Sequence, residues 1–284
     1  MPALPTTALR ILKCIDSGDA SAADLEHVIV ADPALSAEFL RLASLASSGS
    51  GPRYTTIRAA IMLLGQRTVR SLATSLLLRH LTQGQPGTAS FDPQRFSHHS
   101  LAVAILSRYL FAMRNRSSDI ESEWSADEVF AIGLLSSLGI GLLPKVAPDA
   151  YNRTYLYARR AGVTMETAFK KIYGGASTTL AANAMEAWGL PGIFSEALMH
   201  IETPWTLPNE ICALSCINFA TSLADAYQLA IGDWSVPFEV GPEVELEIGL
   251  TEEERDSLME VILRQVEAWS LSISCTDSSE RRVG

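Results

Sequence analysis

Helix start and stop signals follow one another along this chain so closely that short helices are almost all it can form. Asp32-Pro33 and Asp92-Pro93 each set a capping side chain ahead of a proline at the first helical position, where the missing N–H costs nothing. Ser21 with Asp24, Ser125 with Glu128 and Thr251 with Glu254 have the spacing of capping boxes. Between these starts and the stops at Gly18, Gly65, Gly162 and Gly189, apolar residues recur at helical spacing. Examples are Leu9, Leu12 and Ile15, then Leu25, Val28 and Ile29, then Leu35, Phe39, Leu42 and Leu45. Helices are predicted from Asp92-Pro93 to about Met113 and over about 148–161, 165–173, 177–188, 191–200 and 209–230. One segment departs from the pattern. Val244, Leu246 and Ile248 alternate with glutamates, the period of a short half-exposed strand. The fold class is all-α with a small C-terminal appendix.

Punctuation divides the chain. Residues 1–81 hold five short helices and form an N-terminal helical subdomain, with a glycine-serine loop from Ser47 to Gly51. Residues 82–92, rich in Gly, Pro and small polar side chains, read as a linker. A second helical subdomain occupies 93–231, with a polar loop from Arg114 to Ser125, and an acidic extension follows over 232–284. Its last helix, with Leu258, Ile262, Val266 and Trp269 on one side, suits either packing on the body or a dimer contact.

Composition excludes several classes. With 48% apolar and 19% charged residues, the chain is too apolar for disorder. The uncharged stretch Val129 to Pro144 is shorter than a membrane span of roughly 20 residues. No signal peptide is read at the N-terminus, and four cysteines make no disulfide framework, so a cytoplasmic setting is expected. Net charge is −10, but residues 1–236 carry 18 basic and 20 acidic side chains, whereas 237–270 carry 2 and 10. That distribution argues against nucleic-acid binding. The basic concentration at Arg53, Arg58, Arg67, Arg70 and Arg79 is a solvated face or a dock for an acidic partner, such as the C-terminal segment.

Several spaced motifs resemble the HDOD domain family. Asp32, Pro33 and Leu35, the Leu40–Ala43 segment, and Ala60, Ile61, Leu64 and Gly65 match its opening helices, with Ser44 and Leu45 in place of the usual Asn-Ser. "HSLAVA" from His99, "AIGLLSSLG" from Ala131 and "AWGLP" at Ala187–Pro191 follow in order, so the resemblance covers about residues 5–230. It implies a two-layer helical fold: a small N-terminal bundle, then a subdomain like that of the HD metal phosphohydrolases. It also implies a role in bacterial signal transduction, beside phosphorelay or cyclic-di-GMP modules.

The HD constellation is a His, an adjacent His-Asp pair and a distal Asp around one or two divalent ions, which lower the pKa of bound water. By the resemblance its positions fall on His99, on Ser136 and Ser137, and on Asn218. Hydroxyls and an amide supply neither charge nor imidazole basicity, so no metal, cofactor or catalysis is expected. The remaining pocket, His99, Ser136, Ser137, Asn218 and His200, is a candidate site for a ligand or partner. His200 lies near a family His-His position but is followed by Ile201, which favours a helix-end imidazole with a backbone partner; Ser177 is expected to cap a helix. Cys212 and Cys216, one turn apart in an apolar stretch, read as core residues. Gly139-Ile140-Gly141 lacks the third glycine of a dinucleotide fingerprint, and with Gly133 it suits close backbone approach. The expected function is a non-catalytic regulatory module binding proteins or a small ligand, with self-association left open. The rival is a metal-dependent phosphohydrolase with an atypical site of His98, His99, His200 and Glu196 or Glu202.

Overall fold

In the computed structural model, residues 10, 11, 14, 21–30, 56–65, 69, 91–114, 122–188, 190, 192–227, 229–234 and 236–280 are described, with side chains to residue 267. Capping chemistry places the helices. The Ser21 N–H donates to Asp24 Oδ2 at 2.9 Å and the Asp24 N–H to Ser21 Oγ at 3.2 Å, opening α1 (Ala22–Val30). Residues 57–65 are helical and close on Gly65 at φ 75°. Asp92 Oδ1 accepts the N–H groups of Gln94 at 2.9 Å and Arg95 at 3.1 Å ahead of α2 (Pro93–Arg114). A complete Ser125–Glu128 capping box starts α3 (Ala126–Leu135), and after a turn at Ser136-Ser137 the chain resumes as α4 (Leu138–Val146). There follow α5 (Pro148–Ala161), α6 (Met165–Tyr173), α7 (Ser177–Ala187), α8 (Gly192–His200) and α9 (Ile211–Ala226). The predicted helix at Asp32-Pro33, most of the first helix, the helix through Leu72–Leu77 and the linker over 82–90 lie outside the described residues. So do Arg53, Arg67, Arg70 and Arg79, whereas Arg58 pairs with Glu26 at 2.7 Å.

The central helix is α2, which packs along α3 and α9 and is covered further out by the last helix, α11 (Glu252–Glu280). Its apolar side chains from Leu101 to Leu106 are all buried, so it is a core helix on nearly every side. One continuous core joins Leu25, Ile29 and Ile61 of the N-terminal layer to Phe96, Phe130, Leu198 and Phe219 of the body. A smaller core under α4, α5 and α6 is built on Ile140, Tyr151 and Phe169. By length and composition the 21 residues 126–146 would cross a membrane, but 89% of their most apolar window is buried inside the fold.

Glycines set how closely these layers approach. A Cβ on Gly139 would stand 1.9 Å from the Ser177 carbonyl oxygen, and one on Gly141 2.3 Å from the Phe96 ring. Thus α4 reaches α7 and α2 only because neither position carries a side chain.

The strand expected over 244–248 is instead a helix, α10 (Pro242–Ile248). Pro242 sits in its first turn and Gly249 closes it at φ 60°, signals that outrank the alternation. Val244 and Ile248 are four apart and buried, while Leu246 is 84% exposed. In a strand all three would share a face. The Thr251–Glu254 box then opens α11. Met259, Ile262 and Val266 are buried in the main core, so this helix packs on the body.

Candidate functional site

A cavity of about 490 Å³ lies beside the α3–α4 turn and is walled by α2, α4, α6, α7 and α9 and by the chain over 230–241. His99, Ser136, Ser137 and Asn218 all line it. His200 does not: its ring lies at the end of α8 and Nδ1 meets Thr206 Oγ1 at 2.6 Å, a side-chain rather than a backbone partner. Its neighbours Ile201 and Glu202 face the cavity instead.

His99 is the best-fixed group in the wall, at 1% exposure. Its Nδ1 lies 2.9 Å from the Leu229 carbonyl oxygen, which can only accept, so Nδ1 carries the proton. Nε2, 2.9 Å from Ser137 Oγ, is then the acceptor for the Ser137 hydroxyl. Burial pushes the imidazole pKa down to about 4, against a smaller opposing effect of the Leu229 carbonyl. At neutral pH the ring is therefore uncharged, with both nitrogens bound by the chain itself.

Ser137, His99 and Asp225 stand in a line that superficially suggests a hydrolytic triad. Asp225 Oδ1, however, is 3.6 Å from Nδ1, beyond a hydrogen bond, and the Nδ1–H is already given to Leu229. An imidazole with so little affinity for a proton is also a poor general base.

Asp225 is the site residue that sequence reasoning missed. Its side chain is 12% exposed, and among the described residues no donor forms a hydrogen bond with its carboxylate. Burial, and then the Glu166 carboxylate, raise its pKa to about 7. The signal was present in the sequence. Asn218, Thr221, Ser222 and Asp225 mark positions i, i+3, i+4 and i+7 of a helix that is otherwise apolar but for Ser215, and all four line the cavity.

The other charges in the wall have partners or solvent. Glu166 accepts the Ser177 N–H at 2.9 Å and the Ser177 hydroxyl, so Ser177 serves this carboxylate instead of capping α7, whose N-cap is Ala176. Burial still raises the Glu166 pKa. Lys170 and Glu202 form an ion pair, and Glu239 is exposed. Asn218 donates to the Ile201 carbonyl at 3.0 Å.

The acidic extension contributes part of the wall. The Trp234 indole N–H donates to the Val163 carbonyl at 2.9 Å, Arg95 reaches the Gly232 carbonyl at 3.3 Å, and Ser222 Oγ donates to the Glu239 carbonyl at 2.7 Å. Residues 232, 234 and 239 are thereby tied to α2, α9 and the chain ahead of α6. Elsewhere, His98 buries an Nε2 with no hydrogen-bond partner among the described residues, Glu196 does not line the cavity, and Cys212 and Cys216 are buried core residues.

The donor set does not fit the metal centre that the HD resemblance brings to mind. At the four positions stand one neutral imidazole with no free nitrogen, two hydroxyls and an amide already donating. Among the described residues no group of three or more His, Cys, Asp or Glu is placed to hold a metal ion.

Comparison with known proteins accords with this architecture. The sequence pattern of the HDOD domain matches residues 1–204. No curated protein matches the chain. Among solved structures, an HDOD domain protein of unknown function from Geobacter sulfurreducens is similar over 98% of this chain and 92% of its own, with 17% identity and a TM-score of 0.70. A Marinobacter aquaeolei VT8 protein named for signal transduction is similar over 98% of this chain at 21% identity and a TM-score of 0.72, and this chain spans 59% of its length. A Shewanella amazonensis SB2B protein named as a phosphohydrolase is similar over 94% of this chain and 85% of its own, at 20% identity and a TM-score of 0.63.

Proposed function

We propose that this chain, which belongs to the HDOD family, is a non-catalytic regulatory module of bacterial signal transduction. In this reading it works in the cytoplasm, recognises a small ligand in the cavity beside His99, and offers its helical surfaces to other regulatory proteins of phosphorelay or cyclic-di-GMP type. The observation that carries the reading is the state of His99. Both of its nitrogens are satisfied by Leu229 and Ser137 at 2.9 Å, so the imidazole that would ligate an ion is part of the packing. The half-open, partly apolar cavity supports ligand recognition, since small-molecule sites are concave and pair apolar walls with a few polar groups that fix orientation.

Elemental analysis of the purified protein, together with phosphodiester and nucleotide hydrolysis assays in Mg²⁺ and Mn²⁺, tests the reading. The expected result is no stoichiometric metal and no metal-dependent turnover. One or two bound ions per chain with hydrolysis that a chelator abolishes would overturn it.

A further inference from the structure

The cavity is acidic in a way that selects its occupant. Among the described residues its wall carries Glu166, Glu202, Asp225 and Glu239 against a single cation, Lys170, and no arginine. Lys170 is taken by Glu202, and Glu166 by the two donors of Ser177. Asp225 is left without a hydrogen-bond donor among the described residues, in a side chain only 12% exposed that opens onto the cavity. A buried carboxylate in this position costs free energy unless something supplies the missing charge. The wall also carries the apolar side chains Ile140, Met165, Ile201 and Val236, and Trp234. A phosphate-bearing ligand would meet these carboxylates and, among the described lining residues, no guanidinium group, and the α6 N-terminus that lines the wall already carries Glu166.

We propose that the cavity binds a small organic cation, a primary amine or guanidine on an apolar body, with Asp225 as its counter-ion and the Trp234 side of the wall against its body. This rests on the regulatory reading above and names the class of ligand it requires. The ammonium or guanidinium donates to the Asp225 carboxylate and replaces the donors that the chain withholds. The apolar body displaces water from Ile140, Met165 and Val236. Asp225 and Trp234 both lie beyond the residues matched by the family pattern, so this selectivity belongs to the part of the wall that the match leaves uncovered.

The test is calorimetric titration and thermal melting of the full chain at about pH 8, where Asp225 is ionised. The probes are phenethylamine and agmatine, against 3-phenylpropionate, which carries a similar body with the opposite charge, and cyclic di-GMP. Both amines are expected to raise the melting temperature. Asp225→Asn should weaken them by about tenfold or more, the loss of a charge-assisted hydrogen bond, while Asp225→Glu retains part of the affinity. Asp225→Asn removes an unpaired charge, so it is expected to fold, and its own melting curve checks that. No shift from either amine at about 10 mM, or undiminished amine binding by Asp225→Asn, would overturn the proposal. Binding of 3-phenylpropionate or cyclic di-GMP with both amines silent would discard the charge assignment and leave the regulatory reading standing. Metal-dependent hydrolysis would discard the reading beneath it.

Discussion

Replacing Asp225 by asparagine should stabilise the protein, and only on the alkaline side. The carboxyl pKa is raised from 3.8 to about 7 by burial, with a further contribution from Glu166. The folded state therefore holds this proton more tightly than the unfolded chain does. Between about pH 4 and pH 7 the unfolded state binds fewer protons, so the contribution to stability falls as pH rises through that window. Above it the full cost is present. A shift of about three units corresponds to about 4 kcal/mol, and water entering the cavity lowers this, so about 2–4 kcal/mol is expected. The groups facing Asp225 are neutral His99 on α2 and Glu166 on α6, with the Lys170–Glu202 pair and Glu239 elsewhere on the cavity wall. Urea unfolding of both proteins across this range isolates residue 225, because the other groups are common to the two and only their coupling to it remains. The gap should be near zero at about pH 4 and open toward about pH 8. A variant less stable than the parent at alkaline pH, or a gap that ignores pH, would refute the reasoning.

Gly139→Ala places a Cβ on the Ser177 carbonyl, a backbone atom that cannot swing aside. A loss of about 3 kcal/mol is expected in urea unfolding. Ser137→Ala removes the hydroxyl that satisfies His99 Nε2 and should cost about 1–3 kcal/mol. Both effects should appear without added metal. Leu246→Lys should stay within about 0.5 kcal/mol of the parent, whereas Val244→Lys, which buries a charge, should cost several times more. Equal losses at the two positions would restore the strand.

Local chemistry made most of the fold legible. Ser21, Asp92, Ser125 and Thr251 act through bonds to residues two or three positions away, so the sequence states their helix starts outright. The exception at 242–248 is a conflict between two local signals. Val244, Leu246 and Ile248 fit a period of two, and Val244 with Ile248 equally fits one helical turn. Flanking Gly241-Pro242 and Gly249 decide between them. The site was most legible where it coincided with the family motifs, and the polar stripe of α9 was the weaker signal for the rest. His99, Ser136, Ser137 and Asn218 share one cavity wall. Asp225 carries no motif, and its meaning depends on burial and on the absence of a donor, both set by helices far away in sequence. His200 went astray because one residue at a helix end, about 100° of rotation, separates it from Ile201, which does face the cavity.

A histidine retained where the other ligand residue types are missing invites the conclusion that some chemistry survives. Its surroundings supply a sufficient physical reason without one. Removing the imidazole, itself only 1% exposed, would strip the Leu229 carbonyl and the Ser137 hydroxyl of their partners. It would also leave a void between α2 and the α3–α4 turn. Each loss is worth about 1–3 kcal/mol, enough to hold His99 in place by stability alone. Asp225 differs in kind. Among the described residues no donor satisfies it, it lowers stability at neutral pH, and no packing argument requires a carboxylate there. A residue that costs stability and faces a cavity is the better marker of function, and here it is the aspartate, not the histidine, that meets both conditions.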